Sequence, residues 1–271
     1  YVFNTGVEVS TKFSKLMPNA KSKLFDVNGI RHIIQPSINY VFIPRPNRVP
    51  NELNQFDYEL TSPHLLPIEF PEYNAIDNID SQNALRLSLR NRLKTRRAGT
   101  LQDVVDLNLY ADWRIDPNSS QNAFSDLYSS ALIRPRSWLA LNSGLRYDLY
   151  NSLWRTINHG FTASPKPNRW SINGGQYYYL AYPSTSRTER TDVFYSGLGY
   201  RLNENWSFST RQYYDSKLGE MSQHDYIVHR DMQSWTFFID LSFRKATGRR
   251  DDEMRISVNY SLKFRPSDPN F

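Results

Sequence analysis

The sequence predicts an all-β protein, a transmembrane antiparallel up-and-down β-barrel with about 13 strands in this chain. Three observations predict it. Apolar and polar residues alternate in run after run. The runs reach about 10–15 residues, whereas soluble strands are usually ~5–6 and a tilted membrane-crossing strand needs ~9–11. Short connections alternate with longer ones. Successive side chains of a strand point to opposite faces, so this alternation builds one apolar wall and one wet wall.

The first strand falls near 1–16. The second, near 29–44, sets Ile34, Pro36, Ile38, Tyr40 and Phe42 against Gln35, Ser37 and Asn39. A long external loop follows at 45–81. The strand near 82–95 sets Leu85, Leu87, Leu89 and Leu93 against Arg86, Ser88, Arg90, Arg92 and Lys94. That near 101–115 sets Val105, Leu107, Leu109, Ala111 and Trp113 against Asp106, Asn108, Asp112 and Arg114. Strands near 124–134, 137–147, 153–164, 169–182, 191–202, 205–215 and 221–230 come next. In 233–245, Trp235, Phe237, Ile239, Leu241 and Phe243 alternate with polar residues, and Phe238 breaks the rule. The last strand, 253–265, is the most regular. Met254, Ile256, Val258, Tyr260, Leu262 and Phe264 face one way, and Glu253, Arg255, Ser257, Asn259, Ser261, Lys263 and Arg265 the other.

Tight connections are expected at Pro135-Arg136, Lys166-Pro167-Asn168, Asn203-Glu204-Asn205 and Asp231-Met232. The segments 45–81, 116–123, 183–190 and 245–252 are longer and richer in Pro, Ser, Asn or charge. Bacterial barrels have short periplasmic turns and longer external loops. Trp138, Trp170, Trp206 and Trp235 fall just after the tight turns, at spacings of 32, 36 and 29 residues. Rings with an apolar body and a polar tip suit a membrane–water interface, so these four are read as the periplasmic aromatic girdle. If those turns are periplasmic, the first strand starts outside and the last ends inside. A closed single-chain bacterial barrel has an even strand number. The expectation is therefore that residues 1–271 form the C-terminal part of a larger barrel.

Composition agrees with this reading. Apolar residues are 39% and mean hydropathy is −0.64, and no stretch makes a transmembrane helix of ~18 apolar residues. The chain begins at Tyr1 inside a strand, with no secretory apolar segment, so any signal peptide is expected to be gone already. Aromatics reach 14%, with 18 Tyr, 15 Phe and 6 Trp. There is no cysteine, which excludes disulfides, thiolate metal sites and cysteine nucleophiles. The net charge of +6 fits a solvated surface, or contact with anionic lipid or phosphate.

No catalytic constellation stands out. The histidines His32, His64, His159, His224 and His229 form no HExxH pair or ligand cluster. There is no GxSxG elbow and no phosphate loop; Gly174-Gly175 sits in a strand, where glycine marks a bend or bulge. Asp251-Asp252 reads as loop solvation. No enzyme activity, cofactor, metal or nucleic-acid partner is expected. The basic stripe Arg86, Arg90, Arg92 and Lys94 lines the lumen. It is either ordinary wet lining paired with Asp106 and Asp112 of the next strand, or a surface that guides a phosphorylated substrate.

The segment Gly29-Ile30-Arg31-His32-Ile33-Ile34-Gln35-Pro36-Ser37-Ile38-Asn39-Tyr40 resembles an element of the LptD, or organic-solvent-tolerance, family. There an Arg-His element leads into a strand with Pro and then Tyr, here Arg31, His32, Pro36 and Tyr40. A long Pro-rich loop follows, as in Val41–Pro71, and an Asp-rich stretch enters a basic strand, as from Asp77 to Arg97. The hairpin Gln233–Arg244 and Glu253–Arg265 is similar to the family's last. The likeness is specific near 29–45 and 77–97.

The resemblance implies a bacterial outer-membrane translocon that inserts lipopolysaccharide into the outer leaflet. It implies a plug lipoprotein (LptE-like) in the lumen, membrane lipids around the wall, and periplasmic Lpt bridge components reached through an N-terminal domain. It also implies lateral release at a weak seam beside the last strand, with Arg255, Ser257, Asn259, Ser261 and Lys263 on its wet face. Many members carry cysteine pairs and this chain has none, which argues against disulfide-gated maturation. A passive porin-like or uptake channel shares the same alternation. A barrel lipase is disfavoured because no spaced nucleophile motif is present.

Overall fold

The computed structural model describes residues 3–48, 52, 54, 74–75, 78–79, 81–117, 121–166, 169–180, 190–245 and 252–263. Its elements are strands: β1 (Thr5–Ser10), β2 (Phe13–Ser22), β3 (Val27–Ile43), β4 (Asn74–Ala75), β5 (Asn78–Ile79), β6 (Gln82–Arg97), β7 (Thr100–Arg114) and β8 (Leu127–Arg136). They continue with β9 (Leu139–Asp148), β10 (Leu153–Ala163), β11 (Trp170–Leu180), β12 (Arg190–Arg201), β13 (Trp206–Asp215), β14 (Glu220–Asp231), β15 (Trp235–Arg244) and β16 (Glu253–Leu262). Among the described residues, fourteen strands form one sheet. From β6 onward each pairs with its neighbour in the chain, and β4 and β5 pair only with each other. The all-β, antiparallel, up-and-down fold class is thus as predicted.

The predicted first strand is two strands. β1 lies opposite Ser37–Phe42 and β2 opposite Val27–Ile34, on the same edge of β3. The break falls opposite Pro36, which has no N–H to donate. In an antiparallel ladder a residue's N–H and C=O point to the same neighbour. The Pro36 carbonyl accepts from the Thr11 amide at 3.3 Å, so the missing donor also falls on this edge. Because β1 and β2 share one pass, fourteen segments make thirteen passes. A second irregularity, between Met17 and Lys21, sits at Pro18 for the same reason.

The turn expected at Pro135-Arg136 lies instead at Ser137-Trp138, and β8 runs through Arg136. The β7–β8 ladder pairs residues only as far as Ile133, so no partner there needs an N–H from Pro135. The β6–β7 connection is a two-residue hairpin at Ala98 (φ 46°) and Gly99 (φ 80°). Two left-handed residues give the turn whose twist matches the flanking strands, and glycine takes that conformation without strain.

The chain divides into two compact units, one of residues 1–136 and 142–157, the other of 137–141 and 158–271. In the first, β3 and β6 put His32, Pro36 and Tyr40 opposite Leu93, Leu89 and Leu85 on one face, and Ser37 opposite Ser88 on the other. In the second, one apolar row crosses six strands: Trp170, Tyr200, Phe208, Val228, Ile239, Val258. A wet row crosses the same strands on the opposite face: Asn173, Gly197, Arg211, Asp225, Ser242, Arg255. Phe238, the exception to alternation, lies on the wet face, its ring 5.3 Å from that of His229.

Burial runs opposite to that of a soluble domain. Ile172, Leu198, Phe208 and Ile239 are exposed, while Arg97, Asp112, Asp148, Arg155 and Asp225 are buried. Exposed apolar side chains along most strands of the sheet are what a wall solvated by hydrocarbon requires.

Candidate functional site

The basic stripe of β6 sits against the carboxylates of β7. Arg86 donates two hydrogen bonds to Asp112, from Nε to Oδ1 at 2.7 Å and from Nη2 to Oδ2 at 2.9 Å. Arg90 makes the same fork on Asp106, at 2.8 and 2.5 Å. Lys94 is 3.4 Å from Asp103, and Arg92 lies directly opposite Asp106. Both forks exist because charged residues recur every second position on both strands, which puts them on one face in register. Planar bidentate pairs are the strongest form of this contact. The Arg90 pair is half exposed and worth about 0–1 kcal/mol. The Arg86 pair is better sheltered, and the Ser125 hydroxyl accepts from the Asp112 amide at 2.8 Å behind it.

Spacing alone did not reveal a second set of pairs. Arg146 donates to Asp126 at 2.5 Å and lies 5.3 Å above the Tyr128 ring, which stacks on Tyr110 at 5.5 Å. Arg155 donates to Asp148 at 2.8 Å with both side chains buried. Asp148 also accepts from the amides of Tyr150 and Asn151 and from the Asn151 side chain, so it closes the β9–β10 turn. An Asp at one strand end with an Arg seven residues on, across a turn, was the available signal.

The other predicted residues separate. His32, Pro36 and Tyr40 share the apolar face of β3, while Arg31 is on the other, opposite Lys94. Trp170, Trp206 and Trp235 each open a strand, and Trp138 sits in the turn before β9. Trp170 packs on Tyr200 at 4.3 Å and Arg230 lies 4.9 Å above Trp206. The Asn203 side chain accepts from the amides of Asn205 and Trp206, both at 2.9 Å, which fixes the indole at the strand start.

On β16, Arg255, Ser257, Asn259 and Ser261 lie on the wet face, and β15 covers one edge. Lys263 follows the strand; it donates to the Met232 carbonyl at 2.9 Å and pairs with Asp231. Phe264, Arg265 and His64 lie outside the described residues, as does most of the loop 45–81, of which 74–75 and 78–79 form the β4–β5 pair. Beyond the end of β15, Lys245 hydrogen-bonds to Glu220, whose carboxylate holds its ammonium above the usual lysine range. Among the described residues no three His, Asp or Glu side chains gather to hold a metal.

Residues 20–182 match the family model of LptD, LPS transport system D. That is more than half of the chain. The chain belongs to the LptD family. A comparison with curated proteins found no match. LptD is an outer-membrane family of lipopolysaccharide transport and assembly, and membership links this chain to lipopolysaccharide transport in general terms. The match spans the Arg31–Tyr40 element and the basic strand, and ends before the last hairpin.

Proposed function

We propose that this chain forms part of a translocon barrel that inserts lipopolysaccharide into the outer leaflet and releases it sideways past β16. Family membership supports the substrate. The observation that carries the release point is that β16 ends the strand order, with one edge on β15 and no strand on the other among the described residues. An unpaired row of N–H and C=O groups in lipid costs several kcal/mol per group. That edge therefore needs a partner strand in the complete barrel, and a seam of few hydrogen bonds there opens at the lowest cost.

In this reading the glycolipid passes along the wet faces. Arg86, Arg90 and Lys94 are paired with acids of β7 while Arg92 has no ion pair among the described residues, so a phosphorylated headgroup meets one free guanidinium beside exchangeable partners. Trp138, Trp170, Trp206 and Trp235 form the periplasmic belt, and residues 45–81 an external loop. Arg31, His32, Pro36 and Tyr40 shape β3, where Pro36 keeps the ladder to β1 and β2 broken. An LptE-like lipoprotein fills the lumen, and periplasmic bridge components deliver the substrate.

The test is a disulfide between Asn259→Cys on β16 and a cysteine on the strand that faces it in the full-length protein. A link between Thr236→Cys and Ser261→Cys, across β15–β16, is the control. Closing the seam should stop the appearance of lipopolysaccharide at the cell surface until reductant is added, and the control link should not. Undiminished delivery with the seam closed refutes lateral release. Conductance by the purified protein without the lipoprotein would then favour a passive channel.

A further inference from the structure

The second unit carries a groove of about 760 Å³ on the apolar face of β10–β13, a feature that lateral release does not use. Its floor is Gly174, opposite Ser196. Phe161 and Ile172 flank it on one side, and Phe194 and Leu198 on the other. The next residue along the same row is Gln212, opposite Ser196. The groove exists because glycine and serine stand where this face elsewhere carries large side chains. It is continuous with the exposed apolar wall, since Ile172, Phe194, Leu198 and Phe208 are all about 40% exposed.

Polar lining groups here are out of place in hydrocarbon, and one of them, the Thr210 hydroxyl, is buried without a partner. Among the described residues neither the Ser196 hydroxyl nor the Gln212 amide has a hydrogen-bond partner. A polar group in an apolar medium is costly unless something pairs with it. With the tight turns on the periplasmic side, Gln212 lies six residues above Trp206 on β13. That is on the order of 15 Å along the membrane normal for a strand tilted as in such barrels. It falls in the outer half of an apolar band about 25 Å tall.

We propose that this groove binds one acyl chain of an outer-leaflet lipid. The chain lies over Gly174 between the apolar walls, and its carbonyl accepts hydrogen bonds from Ser196 and Gln212. An acyl ester or amide carbonyl supplies acceptors at one end and a bare hydrocarbon at the other. The groove presents the same two zones in the same order.

The experiment uses the full-length protein in vesicles doped with a phosphatidylethanolamine that carries a photoactivatable acyl chain. Labelled peptides are mapped by mass spectrometry. Labelling should concentrate on peptides of β11–β13. It should fall at least fivefold there in the Ser196→Leu/Gln212→Leu double variant, while labelling of the β15–β16 wall is unchanged. Heat-dependent gel mobility checks that the variant barrel is folded. Gly174→Ala is the second variant: its methyl would meet the Phe161 ring edge at 2.9 Å, which the ring can yield, and the raised floor should also lower labelling. Even labelling of the whole apolar wall, labelling indifferent to both variants, or a groove shielded by a co-purifying protein would each overturn the proposal. None of these outcomes bears on release at β16.

Discussion

Arg97 is a buried cation at the β6–β7 hairpin, and its removal should loosen three turns at once. Its guanidinium donates to the carbonyls of Asp26 at 3.0 Å and Phe25 at 2.8 Å, in the β2–β3 turn. It also donates to those of Arg134 and Pro135 at 2.9 and 3.0 Å, at the end of β8. The Asp26 carboxylate is 3.5 Å away, and the Arg97 side chain is 3% exposed. A hydrogen bond from a charged donor contributes about 1.5–3 kcal/mol. Four do not add, because one guanidinium makes them all and water reaches the turn carbonyls once it is gone. Arg97→Ala should therefore cost about 3 kcal/mol, the upper end of what one charged hydrogen bond contributes. Arg97→Lys should lose more than half of that, since an ammonium is a point donor without the fork.

The assay is the urea midpoint of the folded barrel in micelles, followed by tryptophan fluorescence. Tryptic cleavage at Lys21, near the end of β2, and at Lys23, in the β2–β3 turn, is followed alongside it. The expected result is a lower midpoint and faster cleavage there. An Arg97→Ala protein with an unchanged midpoint and unchanged cleavage would refute the reasoning, because it would mean the carbonyls gain nothing from the guanidinium.

Two further outcomes follow from the ion pairs. Arg86→Ala should cost about 2–3 kcal/mol, since it strands the buried Asp112 carboxylate, and Arg86→Leu/Asp112→Leu should recover most of that, as read by the same urea midpoint. Asp148→Asn keeps an acceptor for the Tyr150 and Asn151 amides but leaves Arg155 buried without its counter-charge; the expected loss is about 3 kcal/mol, with faster hydrogen exchange in residues 149–152.

The opposition of two walls was legible residue by residue. Glu253–Leu262 and Trp235–Arg244 read from the chain as they stand in the sheet, because a period of two needs no knowledge of a partner. The basic stripe was legible as a stripe, but its state was not. Whether Arg86 is a free cation or half of a fork depends on which β7 residue the register sets across from it, and a bulge at Leu93/Lys94 shifts that register within the same strand. Pro36 was visible, yet its effect was not, since the cost of a missing N–H depends on which neighbour that edge faces. The Arg97 clamp left no local mark, because its acceptors are backbone carbonyls 37 to 72 residues away and carbonyls carry no sequence identity.

By itself, then, the sequence determined the apolar and wet faces of the strands it spells out, a count of about thirteen passes, and the family. Those depend on the order of residues along one strand or one motif. Only the tertiary structure decided which charges are neutralised, where a ladder breaks, and that Gly174, Ser196 and Gln212 meet in one groove. Each of these is a contact between strands, and its energy is set by register, which no single strand contains.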